Sequence, residues 1–458
     1  MNKTKRDQSA LFAWKGTPPL GAAVSLSLEH LVAMIIGCVT PAIIIANTVG
    51  LAQDQRIMLI QASLVMSAIS TLLQLYPLGK HFGSGLPVIL GVSFAYLPSM
   101  QVIAAEGGGI AAITGAMLVG GAVAVVVGIF VKPIRKAFPP IITGTVVFTI
   151  GLSLYPTAIN YMAGGAGNTY EVVVGAKHLT AALVYGSWQN WVIAAVTLVA
   201  VMLFTNHGRG VCRLAAILLG MLCGYLIAAI FGMVDFSEIA AAGWFALPKP
   251  APFGITFEPS ACIAIGLLFA INSIQAIGDF TATTVGGFSR EPTDRELQGG
   301  IIAYGATNML TALMGGLPTA TYSQNVGIVS TNKVVNRTVF TLTGLFLLLA
   351  GICPKFSAIL TTIPQCVLGG ATVTVFSSIA MTGMKLITSE DLTARNTTIV
   401  GLSAALGVGV SQASSALSQF PKEITIIFGK SPVVIATIMA VLLNIILPKD
   451  EKKAEQKA

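Results

Sequence analysis

The sequence predicts an all-α polytopic membrane protein with fourteen transmembrane segments in two inverted repeats of seven, and three observations predict it. Of 458 residues, 54% are hydrophobic and 10% charged, with a mean hydropathy of +0.82, whereas a soluble domain carries about 25% charged residues. Apolar runs of bilayer-spanning length recur along the whole chain. Twenty of the 26 Lys and Arg fall on the N-terminal side of those runs and six fall opposite.

Residues 1–21, MNKTKRDQSALFAWKGTPPLG, are basic and polar and lack the apolar run and cleavage site of a signal peptide. The first span is therefore expected to stay uncleaved. Spans are expected at roughly 22–46, 57–75, 85–100, 110–131, 141–157, 189–206, 213–232, 261–283, 297–315, 318–332, 337–352, 366–384, 396–412 and 431–447. The third and tenth are too short for ordinary spans. An even number of segments puts both termini on one side, and basic loops stay cytoplasmic, so both termini are expected inside the cell. The net charge of +8 is thereby assigned to loops at a lipid bilayer, not to nucleic-acid binding. The longest loops, about 158–188 and 233–260, are expected outside, and Ser289 to Gln298 (SREPTDRELQ) as a solvated cytoplasmic linker. Residues 1–458 thus read as one membrane transporter domain.

The stretch Leu317 to Arg337, LPTATYSQNVGIVSTNKVVNR, breaks the apolar pattern. Pro318 lacks a backbone N–H. Thr319, Thr321, Tyr322, Ser323, Gln324, Asn325, Ser330, Thr331 and Asn332 carry hydrogen-bonding groups where a lipid-facing helix would carry Leu or Val. Gly327 permits close approach to the backbone. Polar, non-helical backbone survives at membrane depth only inside protein or beside a wet cavity. Broken segments of this kind bind the solute in many transporters, so the stretch is expected to be half of a substrate site.

The other half is expected in the third segment. Gly85-Leu86-Pro87 opens that segment as Gly316-Leu317-Pro318 opens the tenth, an offset of 231 residues. Phe138-Pro139 and Ile363-Pro364 precede two later segments at an offset of 225. Both offsets are near half the chain. Seven is odd, so the second half enters the bilayer inverted, and the two broken segments are expected to meet near the midplane.

Ionisable residues inside spans are few, and each is costly enough to suggest a function. Glu29 and His30 lie in the first span; Asp279 lies one turn after Gln275 in the eighth. Asp279 is read as holding a coupling charge, with a helix-to-helix hydrogen bond as the structural alternative. His30 suits either proton relay or a hydrogen bond to a neighbouring helix. Phe94, after Ser93, is placed to stack on a flat ring, although a Phe among apolar residues is more often core. Gln324, Asn325 and Gln275 each combine donor and acceptor, which suits a polar, neutral or weakly acidic small solute. His30, His81, His178 and His207 are scattered, and the six cysteines lie in or beside apolar runs without metal-ligand spacing. No enzyme, metal or cofactor is expected.

Gln324-Asn325-Val326-Gly327 followed by Thr331-Asn332-Lys333 resembles the signature of the nucleobase–ascorbate transporter family, QNxGxxxxT followed by Arg, Lys or Gly. Asn332 stands where the family has Thr. The resemblance extends to Glu29-His30-Leu31, Ser93-Phe94-Ala95, Ala276-Ile277-Gly278-Asp279 and Val367-Leu368-Gly369-Gly370-Ala371-Thr372. It implies a substrate-binding core (about 22–131 and 261–352) and a gate (about 141–232 and 366–447), with short strands of the third and tenth segments meeting beside the solute, in a homodimer. It also implies that Gln324 binds the base edge, that Phe94 stacks, and that the backbone near Ala95 and Asn325 adds hydrogen bonds. Gln at the first signature position looks like the bacterial xanthine and uric acid branch.

Two departures bear on coupling. The family usually carries Glu at Gln275, and many purine members carry Asp at Tyr304. Coupling is then left to Asp279, His30 or Glu29. The reading is a cytoplasmic-membrane permease importing xanthine or uric acid by cation symport, with H+ ahead of Na+, through alternating access. The alternative keeps the fold and carries uracil or an inorganic anion such as sulfate, the anion held by half-helix N-termini.

Overall fold

A backbone surrounded by apolar groups must satisfy its own N–H and C=O groups, and a helix does so within one segment. The computed structural model describes residues 9–79, 81–131, 139–165, 172–174, 177–179, 185–234, 236–417, 419–420 and 431–448. Lys3, Lys5, Arg6, Lys80, Lys132, Arg135, Lys136, Phe138, Lys422, Lys430, Lys449, Lys452, Lys453 and Lys457, used in the sequence reading, lie outside these residues.

The chain runs α1 (Leu20–Val49), α2 (Gln53–Leu75), β1 (Leu90–Val92), α3 (Leu97–Ala105), α4 (Gly109–Ile129), α5 (Pro140–Met162), the hairpin β2 (Val172–Val174) and β3 (Lys177–Leu179), α6 (Trp188–His207) and α7 (Ala216–Ile230). It continues with α8 (Pro259–Phe288), α9 (Asp294–Leu313), β4 (Thr319–Thr321), α10 (Ser323–Asn332), α11 (Arg337–Gly351), α12 (Pro354–Thr361), α13 (Gln365–Ile387), α14 (Ala394–Gln412) and α15 (Pro432–Ile446). An element occupies each of the fourteen predicted places. Among the described residues, α1, α2, α4, α5, α6, α8 and α13 are long and apolar enough to cross a membrane, seven helices in all. An eighth crossing results if α11 and α12, bent by 76° at their junction, form one span.

The structure departs from the sequence reading in three places. Helix α12 was not expected; it starts at Pro354, a residue suited to a first helical turn because its missing N–H is not needed there. The seventh predicted segment starts later, after a break at Ala215 that separates a single helical turn, Val211–Leu214, from α7. The polar stretch after Pro318 is not irregular throughout, since a three-residue strand gives way to the ten-residue helix α10.

Contacts divide the chain into two units, residues 1–131 with 156–374 and residues 132–155 with 375–458. In the first, α4 packs against α8 and α9, and β1 pairs antiparallel with β4. In the second, α14 packs on α15 over a core of Ile141, Ile142, Ile387, Ile399 and Ala440.

Helix α9 opens with a capping box. Thr293 Oγ1 accepts from the Glu296 N–H at 3.3 Å while Glu296 accepts from the Thr293 N–H at 2.7 Å. Arg290 donates to both Glu296 oxygens, at 2.5 and 2.8 Å. Burial pushes the Glu296 carboxyl up, but Arg290 and Thr293 hold it below its usual 4.5. A pKa depressed by folding gives stabilisation that is complete above the unfolded value and is lost as pH falls through the folded one. The difference in thermal unfolding midpoint between wild type and Glu296→Gln should therefore be largest near neutrality and close on acidification below 4.5. Thr293→Ala should cost about 1 kcal/mol in the same assay.

Candidate functional site

Strands β1 and β4 pair with Leu90 opposite Thr321, Gly91 opposite Ala320 and Val92 opposite Thr319. One further bond extends the ladder at each end, from the Ser93 N–H to Pro318 O at 3.0 Å and from the Tyr322 N–H to Ile89 O at 3.0 Å. Two strands alone leave two outer edges unpaired, and neighbouring helices close both. Thr71 on α2 accepts from the Leu90 N–H at 3.0 Å and donates to Leu90 O at 3.2 Å. Asn308 on α9 accepts from the Thr319 N–H at 2.7 Å and donates to Thr319 O at 3.3 Å. Cys38 Sγ on α1 accepts from the Val92 N–H at 3.4 Å. Tyr322 covers Gly91, where a Cβ would lie 2.7 Å from its ring, and donates to Val92 O at 2.7 Å.

Asp279, buried on α8, ties that helix to β4 and α10. Thr321 Oγ1 donates to one carboxyl oxygen and Ser323 Oγ to the other, the latter at 2.8 Å. Two residues on, Asn325 ties α10 to α1. Its Nδ2 donates to His30 Nδ1 at 3.1 Å and to His30 O at 3.0 Å. An Nδ1 that accepts leaves the ring proton on Nε2 in a neutral imidazole. That Nε2 and Asn325 Oδ1 are both buried without a partner. The His30 ring packs on Phe340, with centroids 4.7 Å apart.

Gln324 is exposed and follows Ser323 directly; Gln275 is half-buried, one turn ahead of Asp279 on α8. A Cβ on Gly278 or Gly327 would meet nothing within 4 Å. The surface of α8 and α10 around Asp279 is therefore open and carries two amide side chains. Helix α10 starts without a side-chain cap, so its first N–H groups and positive dipole end lie beside Gln324.

The remaining predicted residues are placed differently. Phe94 and Ala95 are buried in a 3-10 turn after β1. The Ala95 N–H donates to Ser93 Oγ at 3.2 Å and the Asn325 N–H to Tyr322 O at 3.0 Å, so both backbone donors have partners within the chain. Asn332 turns back onto the chain, its Oδ1 accepting from the Val334 N–H at 2.9 Å. Glu29 is half-buried on α1, one residue from His30 but outside its bond to Asn325. Tyr304 is fully buried with its hydroxyl bonded to that of Tyr96. Among the described residues no group of three or more His, Cys, Asp or Glu is arranged to hold a metal.

Sequence reasoning passed over Thr71 and Asn308. Each is a polar residue inside the apolar run of a helix flanking a broken segment, a signal shared with residues such as Thr311 that bond only their own helix.

A family model described as "Permease family" matches residues 21–415. The chain is 33% identical over 421 residues to the uric acid permease PucK of Bacillus subtilis, covering 92% of this chain and 94% of that one. It is 30% identical over 452 residues to the xanthine permease XanQ of Escherichia coli, covering 96% and 94%. Among solved structures, the transmembrane domain of the cyanobacterium bicarbonate transporter BicA matches with a TM-score of 0.54 at 14% identity, over 92% of this chain and 96% of that one. That likeness concerns the fold, a polytopic membrane protein.

Asp279→Ala would leave the buried Thr321 hydroxyl and the half-buried Ser323 hydroxyl without their acceptor and should lower stability by about 3 kcal/mol, while Thr321→Val alone should cost about 2 kcal/mol. Unfolding of the detergent-solubilised protein measures both. If the carboxylate binds the two hydroxyls as a unit, the effects of Asp279→Ala and Thr321→Val will be clearly less than additive in the double variant.

Proposed function

The chain belongs to the nucleobase–ascorbate transporter family, whose members are permeases and not enzymes, and on that premise we propose that it imports a purine nucleobase, xanthine or uric acid, by cation symport. The observation that carries this reading is the open surface of α8 and α10, where Gln275 and Gln324 accompany Gly278 and Gly327 with free space above them. A purine edge alternates donors and acceptors, and an amide side chain matches that alternation. Gln324 binds the base edge, Gln275 adds a second contact, and Phe94 forms the stacking wall, with Ala95 and Asn325 shaping the backbone around it. Gly327 and Pro318 set the local backbone, and Asn332 closes the signature helix.

Asp279 carries the coupling charge, with His30 and Glu29 as the other titratable groups of the core; H+ is the coupling ion, with Na+ as the alternative. The pairing of β1 with β4 supports an inverted repeat with its centre at the strands, because each outer edge is closed by a helix that precedes its own strand, α2 for β1 and α9 for β4. Alternating access moves a core of about 22–131 and 261–352 against a gate of about 141–232 and 366–447, with both termini cytoplasmic and two copies in a dimer.

Uric acid, the more acidic solute, is favoured by Gln275, which lacks the repelling charge of a Glu.

Uptake of labelled uric acid and xanthine into cells lacking their own purine permeases tests the reading. Competition by either purine, reduced about tenfold or more in Gln324→Ala, is the expected result. Competition by uracil or sulfate in place of purines would move the assignment to that solute on the same fold. Gln275→Glu should shift preference toward xanthine, and an unchanged uptake ratio would remove Gln275 from solute selection. Collapse of the proton gradient should abolish accumulation; persistence in its absence, with dependence on external sodium, would assign Na+.

A further inference from the structure

A cavity of about 430 Å³ lies away from the solute surface, at the ends of α8, α9 and α11. Its lining includes Trp14, Phe288, Arg290, Arg295, Arg337 and Glu296. Three guanidinium groups thus surround it against one carboxylate, and that carboxylate is taken up by Arg290. Arg337 stacks on Tyr76 with its guanidinium carbon 4.1 Å from the ring centre. Stacking uses the face of the guanidinium and leaves its edge of N–H donors available; no hydrogen bond from that group occurs among the described residues. Arg295 donates to Gly79 O at 3.2 Å. Trp14 meets Phe288 edge to face, with centroids 6.0 Å apart, giving the cavity an aromatic wall.

The volume falls in the range of small-molecule sites, about 300–1,000 Å³. Clustered arginine forks recognise phosphate by paired N–H donors, and the excess positive charge suits a phosphate more than a singly charged carboxylate. We propose that this cavity binds a phosphate ester, supplied either by a soluble nucleotide or by the headgroup of an anionic lipid. The occupant bridges Arg295 in the first turn of α9 and Arg337 at the start of α11, and rests against the Arg290–Glu296 pair at the end of α8. It also reaches Ser84 and Gly85, in the turn that leads into β1. It therefore ties together the outer ends of the elements whose inner ends carry Asp279, Asn308 and the strand pair, and restrains them without touching the solute surface.

The test uses the purified full-length chain in nanodiscs of phosphatidylcholine. One arm measures binding of labelled GMP, with inorganic phosphate as competitor; the other adds phosphatidylglycerol and reads retained lipid by native mass spectrometry. Binding of either probe, weakened at least tenfold in Arg337→Gln and in Arg295→Gln, supports the site, and the arm that responds names the source. Arg337→Lys keeps the charge and stem but loses the fork, and should weaken binding at least threefold while the protein elutes and melts like wild type. The proposal is overturned if neither probe binds, or if both bind equally to wild type and to the glutamine variants.

Discussion

Two short strands cross inside a protein that is otherwise helical, and every peptide group they expose must find a partner. A buried N–H or C=O left unmet costs about 1–3 kcal/mol, so β1 and β4 dictate what stands around them. Thr71, Asn308 and Cys38 answer from α2, α9 and α1. Asp279 on α8 adds a side-chain anchor, accepting from the hydroxyls of Thr321 and Ser323. Four helices are thereby indexed to one six-residue ladder. A shift of register would unsatisfy all of them together, which is why the amide surface beside Gln324 has a definite shape.

Hydropathy made the helices legible because the bilayer imposes length as well as polarity. The break at Pro318 was equally plain. The partners of the strands were not. A Thr or Asn inside a helix reads the same whether it bonds its own preceding turn or reaches across the protein. Thr311 bonds Thr307 O and Ser273 bonds Phe269 O within their helices, whereas Thr71 and Asn308 serve strands 19 and 11 residues further on. His30 and Asp279 stood out as costly groups and Asn325 as an amide donor and acceptor, yet nothing in the chain order announced that His30 and Asn325 would bond each other. Helix α10 was obscured for a related reason: Ser323 to Asn325 and Ser330 to Asn332 give it the composition of a loop.

Small residues divide between two uses. A Cβ at Gly120 would lie 2.2 Å from the Phe269 ring, and one at Gly121 2.7 Å from Gly305 O, so α4 approaches α8 and α9 at a distance that only glycine allows. Such contacts drive helix association in lipid, where burial of apolar surface supplies little. A Cβ at Gly278 or Gly327 would meet nothing within 4 Å. There the missing side chain keeps space open next to the amides.

The strand pair also has a history in time. Leu90 meets Thr321 across 231 residues of chain, and at ordinary synthesis rates that interval lasts roughly ten to fifty seconds. Thr71 precedes β1, so one edge of the strand is answered as soon as it is made. The other edge must wait within the inserted first half until β4 arrives. The ladder, and with it the anchoring of β4 to Asp279, can therefore close only after the second half of the chain has begun to be made.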